Sequence, residues 1–314
     1  MTPETVLVLR ALGLGDTVAG IAALRGVRRA WPAGRIVLAA PSPYGGWLRG
    51  LGIVDEVLHT RGLARLHWPG GGHVAVNLHG SGPQSHQVLT ATRPARLVAF
   101  RCGAAGHEEG PDWTWAEHEV VRWCRLVSCA GGPCGPEDLR LPRLAPVNGN
   151  VVVHPGAASA ARRWPERRWR EVVRSLVDHG HDVVVTGDRT EHSLCTGIVA
   201  GMSRARNLAG RLSVSALAEL IAGATVLLAG DTGPAHLATA FGTPSVLLFG
   251  PTSPARWGPA IDLERHVVLW HGGTGNGDPH ADELDPSLSR IEVAEVLAAA
   301  FELLARQVPQ QAAG

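Results

Sequence analysis

Two doubly wound α/β domains in tandem are the architecture this sequence predicts, on three observations. Strand-like apolar runs alternate with helical patterns along almost the whole chain, as expected of a parallel sheet covered by helices. The alternation lapses once, in a Gly- and Pro-rich stretch near the middle, and then restarts. A length of 314 residues exceeds one ordinary core and suits two.

In the first half the strands read as "TVLVLRA", "RIVLAA", "VDEVLH", "HVAVNLHG" and "ARLVAF". Between the first two lies "DTVAGIAALRGVRRAW", whose apolar positions recur at helical spacing and predict one helix. Shorter helices are expected near residues 45–51 and 83–91, and a longer one from about Trp115 to Ser128. Residues 129–150, "CAGGPCGPEDLRLPRLAPVNGN", lack periodicity and are the expected linker. The domains are therefore placed at 1–145 and 150–314.

In the second half "NVVVHPG" is a strand, and "PERRWREVVRSLVDHG" is a helix opened by Pro165 and closed by Gly180. "HDVVVTGD" is the next strand, and "EHSLCTGIVAGM" and "SVSALAELIAGA" are helices, the second with Ser213 as N-cap. "TVLLAGD", "PSVLLFG" and "HVVLW" are later strands. The closing "SRIEVAEVLAAAFELLARQ" is an amphipathic helix, free to pack back on the first domain.

Composition narrows the function classes. A net charge of +1 excludes a dedicated nucleic-acid binder, which carries a strong basic excess. Apolar runs of strand length fall far short of the ~20 residues of a membrane span, so at most peripheral membrane contact is expected. The start "ETVLVLR" lacks a basic segment and cleavage site, which predicts a cytoplasmic protein. Every basic Lys/Arg position is arginine, a compositional bias of a GC-rich genome. Wherever phosphate needs a cation, this chain therefore offers arginine, whose fork suits it. Of five cysteines, Cys124, Cys129 and Cys134 cluster without metal-ligand spacing, and the first two read as helical, buried thiols.

Chemistry-bearing residues follow the strands, where such sheets bind ligands; a two-domain version places its site in the cleft between domains. "AGDTGPAHLATAFGTPSVLLFGPTSP" ends a strand at Asp231, turns at Thr232 and Gly233, and seats Pro234 at a first helical position. The N–H groups of Thr232, Gly233 and Ala235 are then available to an anion, with His236 one turn in. "HPGAASAARRWP" brings Ser159, Arg162 and Arg163 after the strand that opens the second half, and Glu191 follows another strand end, where a carboxylate suits ribose hydroxyls. In "RALGLGDTV" the third glycine of a G-x-G-x-x-G cradle is Val18, and Asp16 would repel phosphate, so hydride-transfer chemistry is disfavoured. Its glycines are expected to turn the chain sharply and present Asp16.

"GDTGPAHLATAFGTPSVLLFGPTSPARWGP" resembles the signature of the heptosyltransferases, glycosyltransferase family 9, and the likeness extends to "RALGLGDTVAGIAALRGVRRAWP", "VVHPGAASAARRWPERRW" and "LSRIEVAEVL". The resemblance implies the GT-B type: two Rossmann-like doubly wound parallel-sheet domains facing a cleft. It implies inverting, metal-independent transfer of a sugar from a nucleoside-diphosphate sugar such as ADP-heptose to a hydroxyl of a glycan or small natural product, with no cofactor. Asp16 falls at the family's base. Asp231, Thr232, Gly233 and His236 fall at donor contacts, Arg162 stands where the family has lysine, and Glu191 falls at the ribose acid; Ser159 joins the donor side from its place on the turn before Arg162. On the acceptor side the candidates are Gly15, Thr17, His79 and Ser81, and Asn77 replaces a frequent acid. The rival readings are a nucleotide-sugar epimerase or hydrolase of the same architecture, and a non-catalytic nucleotide-sugar binding protein.

Overall fold

The first strand, β1 (Thr5–Leu9), is buried from Val6 onward, as a run of Val and Leu must be when helices cover both faces of its sheet. The computed structural model describes residues 4–143, 146–273 and 277–311, and the chain divides into two compact units, Met1–Leu139 and Arg140–Gly314. Positions 144 and 145 of the expected linker, the second of them the expected limit of the first domain, lie outside the described residues.

In the first unit β1 is followed by α1 (Leu14–Ala19), α2 (Ile21–Ala30), β2 (Arg35–Ala40), α3 (Ser42–Gly50), β3 (Glu56–His59), β4 (Val74–Asn77), α4 (Gln84–Thr90), β5 (Arg96–Val98) and α5 (Glu119–Cys129). The strands form a parallel sheet in the order β3-β2-β1-β4-β5, with Leu9 opposite Asn77 across β1 and β4. The order reverses between β1 and β4. Both chain turns at that switch point leave from the carboxyl edge, where open α/β sheets hold their ligands.

The second unit runs β6 (Val151–His154), α6 (Glu166–Asp178), β7 (Val183–Val185), α7 (His192–Val199), β8 (Ala205–Asn207), α8 (Val214–Ala222), β9 (Val226–Gly230), α9 (Gly233–Phe241), β10 (Ser245–Phe249), α10 (Pro254–Trp257), β11 (His266–Trp270), α11 (Pro286–Ser289) and α12 (Val293–Gln311). Its sheet is β11-β10-β9-β6-β7-β8, with the switch point between β6 and β9. The core forms where α6 lays Trp169, Val172, Val173 and Leu176, a one-face helical pattern, onto Val151, Val153 and Val183. The closing α12 adds Val296, Ala300 and Leu303 to this same core, so its described part packs on the second unit's own sheet.

Four details differ from the sequence expectation. The single helix expected after β1 is two, divided at Gly20. α5 starts at Glu119 rather than Trp115, because the His118 side chain caps it by accepting from Val120 N–H at 3.2 Å. The three-residue edge strand β8, "ARN", is additional; it is too short and too polar to show a period. Cys124 is buried on α5 but Cys129, at its end, is exposed.

Gly20 is a packing glycine. A Cβ there would lie 2.6 Å from Nε of Arg10, a side chain 1% exposed. Gly20→Ala is therefore expected to destabilise the protein by about 1–3 kcal/mol through overpacking, against alanine's better helix propensity. Urea unfolding measures it; unchanged or increased stability would show that Arg10 yields freely.

Candidate active site

Arg10, the first residue past β1, organises the carboxyl edge of the first unit. Its guanidinium donates from Nε to the Asp16 carbonyl at 2.6 Å, from Nη1 to the Leu78 carbonyl at 2.5 Å, and from Nη2 to Glu119 Oε1 at 3.2 Å. One buried cation thus ties α1, the turn after β4, and the start of α5. Glu119, itself buried, also accepts from Arg122 Nη1 at 2.6 Å and from the Trp123 indole, so the charge of Arg10 is met inside the protein.

Asp16 stands in the first turn of α1 with 30% of its side chain open, and its Oδ1 lies 4.0 Å from Arg10 Nη2. Burial pushes its carboxyl above the ordinary value; the Arg10 guanidinium pulls it back, and the Glu119 carboxylate adds to the push. The result is a carboxylate more basic than a solvated one, with oxygens still accessible. Neither Gly13 nor Gly15 has positive φ: Gly13 is an extended N-cap and Gly15 continues the helix. The turn that presents Asp16 thus does not require glycine's conformational freedom, contrary to the sequence expectation.

The other acceptor-side candidates divide. His79 shares the switch point: its Nδ1 accepts from Ala11 N–H at 3.1 Å, which leaves the ring proton on Nε2. Burial, with Arg10 adding, lowers its pKa to about 4, so it is neutral at pH 7. Ser81 follows on the same turn, half-buried, its hydroxyl unpartnered among the described residues. Thr17 does not present its hydroxyl, which is 2% exposed and donates to the Gly13 carbonyl at 2.8 Å. Asn77 is fully buried and donates to Gly80 O and Ser85 Oγ, while its Oδ1 accepts from His79 N–H. A carboxylate could not donate those bonds, so the amide here holds the turn.

In the second unit the turns after β6 and β9 flank the other switch point. The first carries Ser159 and Arg162, the second Asp231, Thr232 and Gly233. Arg162 joins them, donating from Nη1 to the Asp231 carbonyl at 3.2 Å, with Nε 3.4 Å from Ser159 Oγ. Ser159 in turn donates to the Pro279 carbonyl at 2.5 Å. Thr232 is the extended N-cap of α9 and makes no side-chain cap, so the helix mouth stays open. The N–H groups of Thr232 and Gly233 have no protein partner among the described residues, but Ala235 N–H is taken by the Thr232 carbonyl at 3.0 Å, leaving two of the three expected donors. Gly233 takes the first helical position and Pro234 the second, one place later than expected. His236 Nε2 lies 4.0 Å from Asp231 Oδ1, and its ring meets Trp257 edge-on at 5.9 Å.

Glu191 lies over the neighbouring strand ends. A Cβ on Gly156 would fall 1.9 Å from its Oε1, and one on Gly187 2.9 Å from its Oε2, so both glycines make room for this carboxylate. Its Oε2 accepts from Asp188 N–H at 2.8 Å, and burial is the leading influence raising its pKa. Arg163, the second of the arginine pair, donates instead to the Ala157 carbonyl at 2.7 Å. Among the described residues no group of three or more His, Cys, Asp or Glu is placed to hold a metal ion.

These features define a doubly wound α/β protein with a basic carboxylate at one switch point and a cationic, anion-ready turn at the other. Residues 136–276 match the profile of glycosyltransferase family 9 (heptosyltransferase). A lipopolysaccharide heptosyltransferase 1 from Pseudomonas aeruginosa is 32% identical over 135 residues, 40% of this chain and 38% of that protein. The chain thus spans well under half the length of this curated relative. Among solved structures, a family 9 glycosyltransferase from Veillonella parvula superposes with a TM-score of 0.77 at 17% identity, covering 96% of this chain and 98% of that one. An Escherichia coli heptosyltransferase solved with ADP gives 0.73 at 18%, covering 95% and 99%. Residues 136–276 are thus similar to glycosyltransferase family 9, and the two α/β units share the GT-B type fold of these structures.

Because the folded state raises the pKa of Asp16, it binds that proton more tightly than the unfolded chain does. Asp16 therefore subtracts stability as pH rises from its unfolded through its folded pKa. Asp16→Asn is expected to melt at a higher temperature than the parent at pH 7.5, with the gain shrinking as pH falls below the ordinary carboxylate range. Thermal denaturation at several pH values checks this; an equal or lower melting temperature at pH 7.5 contradicts it.

Proposed function

We propose that the chain is an inverting glycosyltransferase that moves heptose or a related sugar from an ADP-heptose-like donor to a hydroxyl of a glycan or small natural-product acceptor, without a metal ion. The observation that carries this reading is the raised pKa of a partly open Asp16 at a switch point. A carboxylate of that kind suits a general base, whereas Glu119 beside it is buried in ion pairs and Asn77 is a neutral amide. The match of residues 136–276 to the family 9 profile and the ADP bound to the E. coli heptosyltransferase support the donor class.

In this reading the acceptor hydroxyl gives its proton to Asp16 as its oxygen bonds to the anomeric carbon. The bond from that carbon to the diphosphate oxygen breaks on the opposite face, so the configuration inverts and the nucleoside diphosphate leaves with the bonding electrons. The charge developing on the diphosphate is met by Arg162 and the N–H groups of Thr232 and Gly233 at the positive end of α9. Arginine in place of lysine keeps the charge and adds a second donor direction. Glu191 receives the ribose hydroxyls, in the space that Gly156 and Gly187 leave for it. Neutral His79, protonated on Nε2, is a hydrogen-bond donor to the acceptor rather than a second base.

Asp16→Asn is expected to lose about 10²- to 10⁴-fold in transfer while keeping ADP affinity. Product formation by mass spectrometry and calorimetric ADP titration read the two separately, and normal turnover would remove Asp16 as the base. Arg162→Ala is expected to weaken ADP binding by roughly ten- to a hundredfold, the range of a charge-assisted hydrogen bond. Unchanged affinity would remove Arg162 from the diphosphate site.

A further inference from the structure

Trp115 is 69% exposed, the most open of the large apolar side chains among the described residues, yet the backbone beneath it is unusually well held. It lies in the connection of residues 99–118 between β5 and α5, which leaves from the same carboxyl edge as the turns bearing Asp16 and His79. Arg122, 3% exposed, donates to the carbonyls of Thr114, Trp115 and Glu117 at 3.2, 3.3 and 2.7 Å. Arg125 donates to the Asp112 carbonyl at 3.0 Å and to the Glu117 carboxylate at 2.7 Å. An aromatic ladder runs from the core outward beneath the same loop: Trp123 meets Trp113 at 5.7 Å, and Trp113 meets Trp115 at 5.5 Å, each edge-on. The Arg122 guanidinium lies 4.3 Å from the Trp113 ring centre and completes the support.

This clamp is continuous with the one that holds the candidate base. Arg122 pairs with Glu119, Glu119 with Arg10, and Arg10 with the Asp16 carbonyl. Two groups therefore share one buried frame at one edge: a carboxylate suited to activating a hydroxyl, and an indole kept in water in a fixed place. An exposed indole gains little for the fold, and fixing it in advance lowers the ordering cost of whatever stacks on it.

We propose that Trp115 is a binding platform for a sugar ring of the acceptor. A pyranose turns a face of C–H groups, slightly positive, toward the negative face of the indole, and its hydroxyls stay free for hydrogen bonds. The inference rests on the transferase reading for the word acceptor, but the binding it claims is separately measurable.

The test is to probe a printed array of bacterial glycans, and vesicles of phosphatidylglycerol, with the full chain and with Trp115→Ala and Trp115→Phe. The parent is expected to bind one or more glycans. Trp115→Ala should bind them about tenfold more weakly, and Trp115→Phe should keep most of the affinity. Melting temperatures check that the exposed substitutions leave the fold intact. The proposal is overturned if the parent binds no glycan, if Trp115→Ala binds as the parent does, or if the substitution removes vesicle binding alone. Calorimetric ADP titration of the same proteins separates the two readings: loss of ADP binding in the parent defeats the donor assignment, whatever the array shows.

Discussion

A guanidinium taken out of water is the constraint on which the first unit is built. Arg10 is 1% exposed, and such a charge is tolerable only if its donors are spent and its charge is balanced. Three separate segments meet that requirement: the Asp16 carbonyl on α1, the Leu78 carbonyl after β4, and the Glu119 carboxylate on α5. Satisfying Arg10 therefore fixes the turns on both sides of the β1/β4 switch point. It also explains why Gly20 has no side chain, since the guanidinium stem occupies the space a Cβ would need. The same cation sets the electrostatics of the site, drawing down the pKa values of both Asp16 and His79 while burial moves them in opposite directions.

Among its described residues the second unit has no such buried cation. Its anion-ready turn is made mostly from backbone, through the two free N–H groups at the mouth of α9, and its one placed cation, Arg162, is tethered by Ser159 and the Asp231 carbonyl. The contrast follows from the chemistry proposed for each half. A proton acceptor must be tuned, which calls for a buried charge nearby. A diphosphate needs only donors held in place, which a helix end and an arginine provide.

Much of this was legible in the sequence because the relevant signals are local. Alternating strands and helices give two parallel sheets, and polar residues directly after strands mark the carboxyl edges, so the positions of Asp16, Arg162, Thr232 and Glu191 at strand ends follow from their neighbours, while their roles rest on the family resemblance. What was not legible depends on distant partners. The ties of Arg10 to Leu78 and Glu119 cross 68 and 109 residues and leave no periodic trace. The start of α5 lies four residues beyond the predicted one, since the cap is a histidine side chain and the indole of Trp115 faces water. The resemblance puts Thr17 among the acceptor-side candidates, but its hydroxyl bonds to its own helix start. The expected third donor, Ala235 N–H, is consumed by a turn inside the first residues of α9 that depends on the cap geometry of Thr232.

A crystal structure of the full chain with ADP tests the account most directly. It predicts diphosphate oxygens within hydrogen-bonding distance of Thr232 N, Gly233 N and the Arg162 guanidinium, with the ribose hydroxyls on Glu191. ADP bound elsewhere, or absent at saturating concentration, would contradict it.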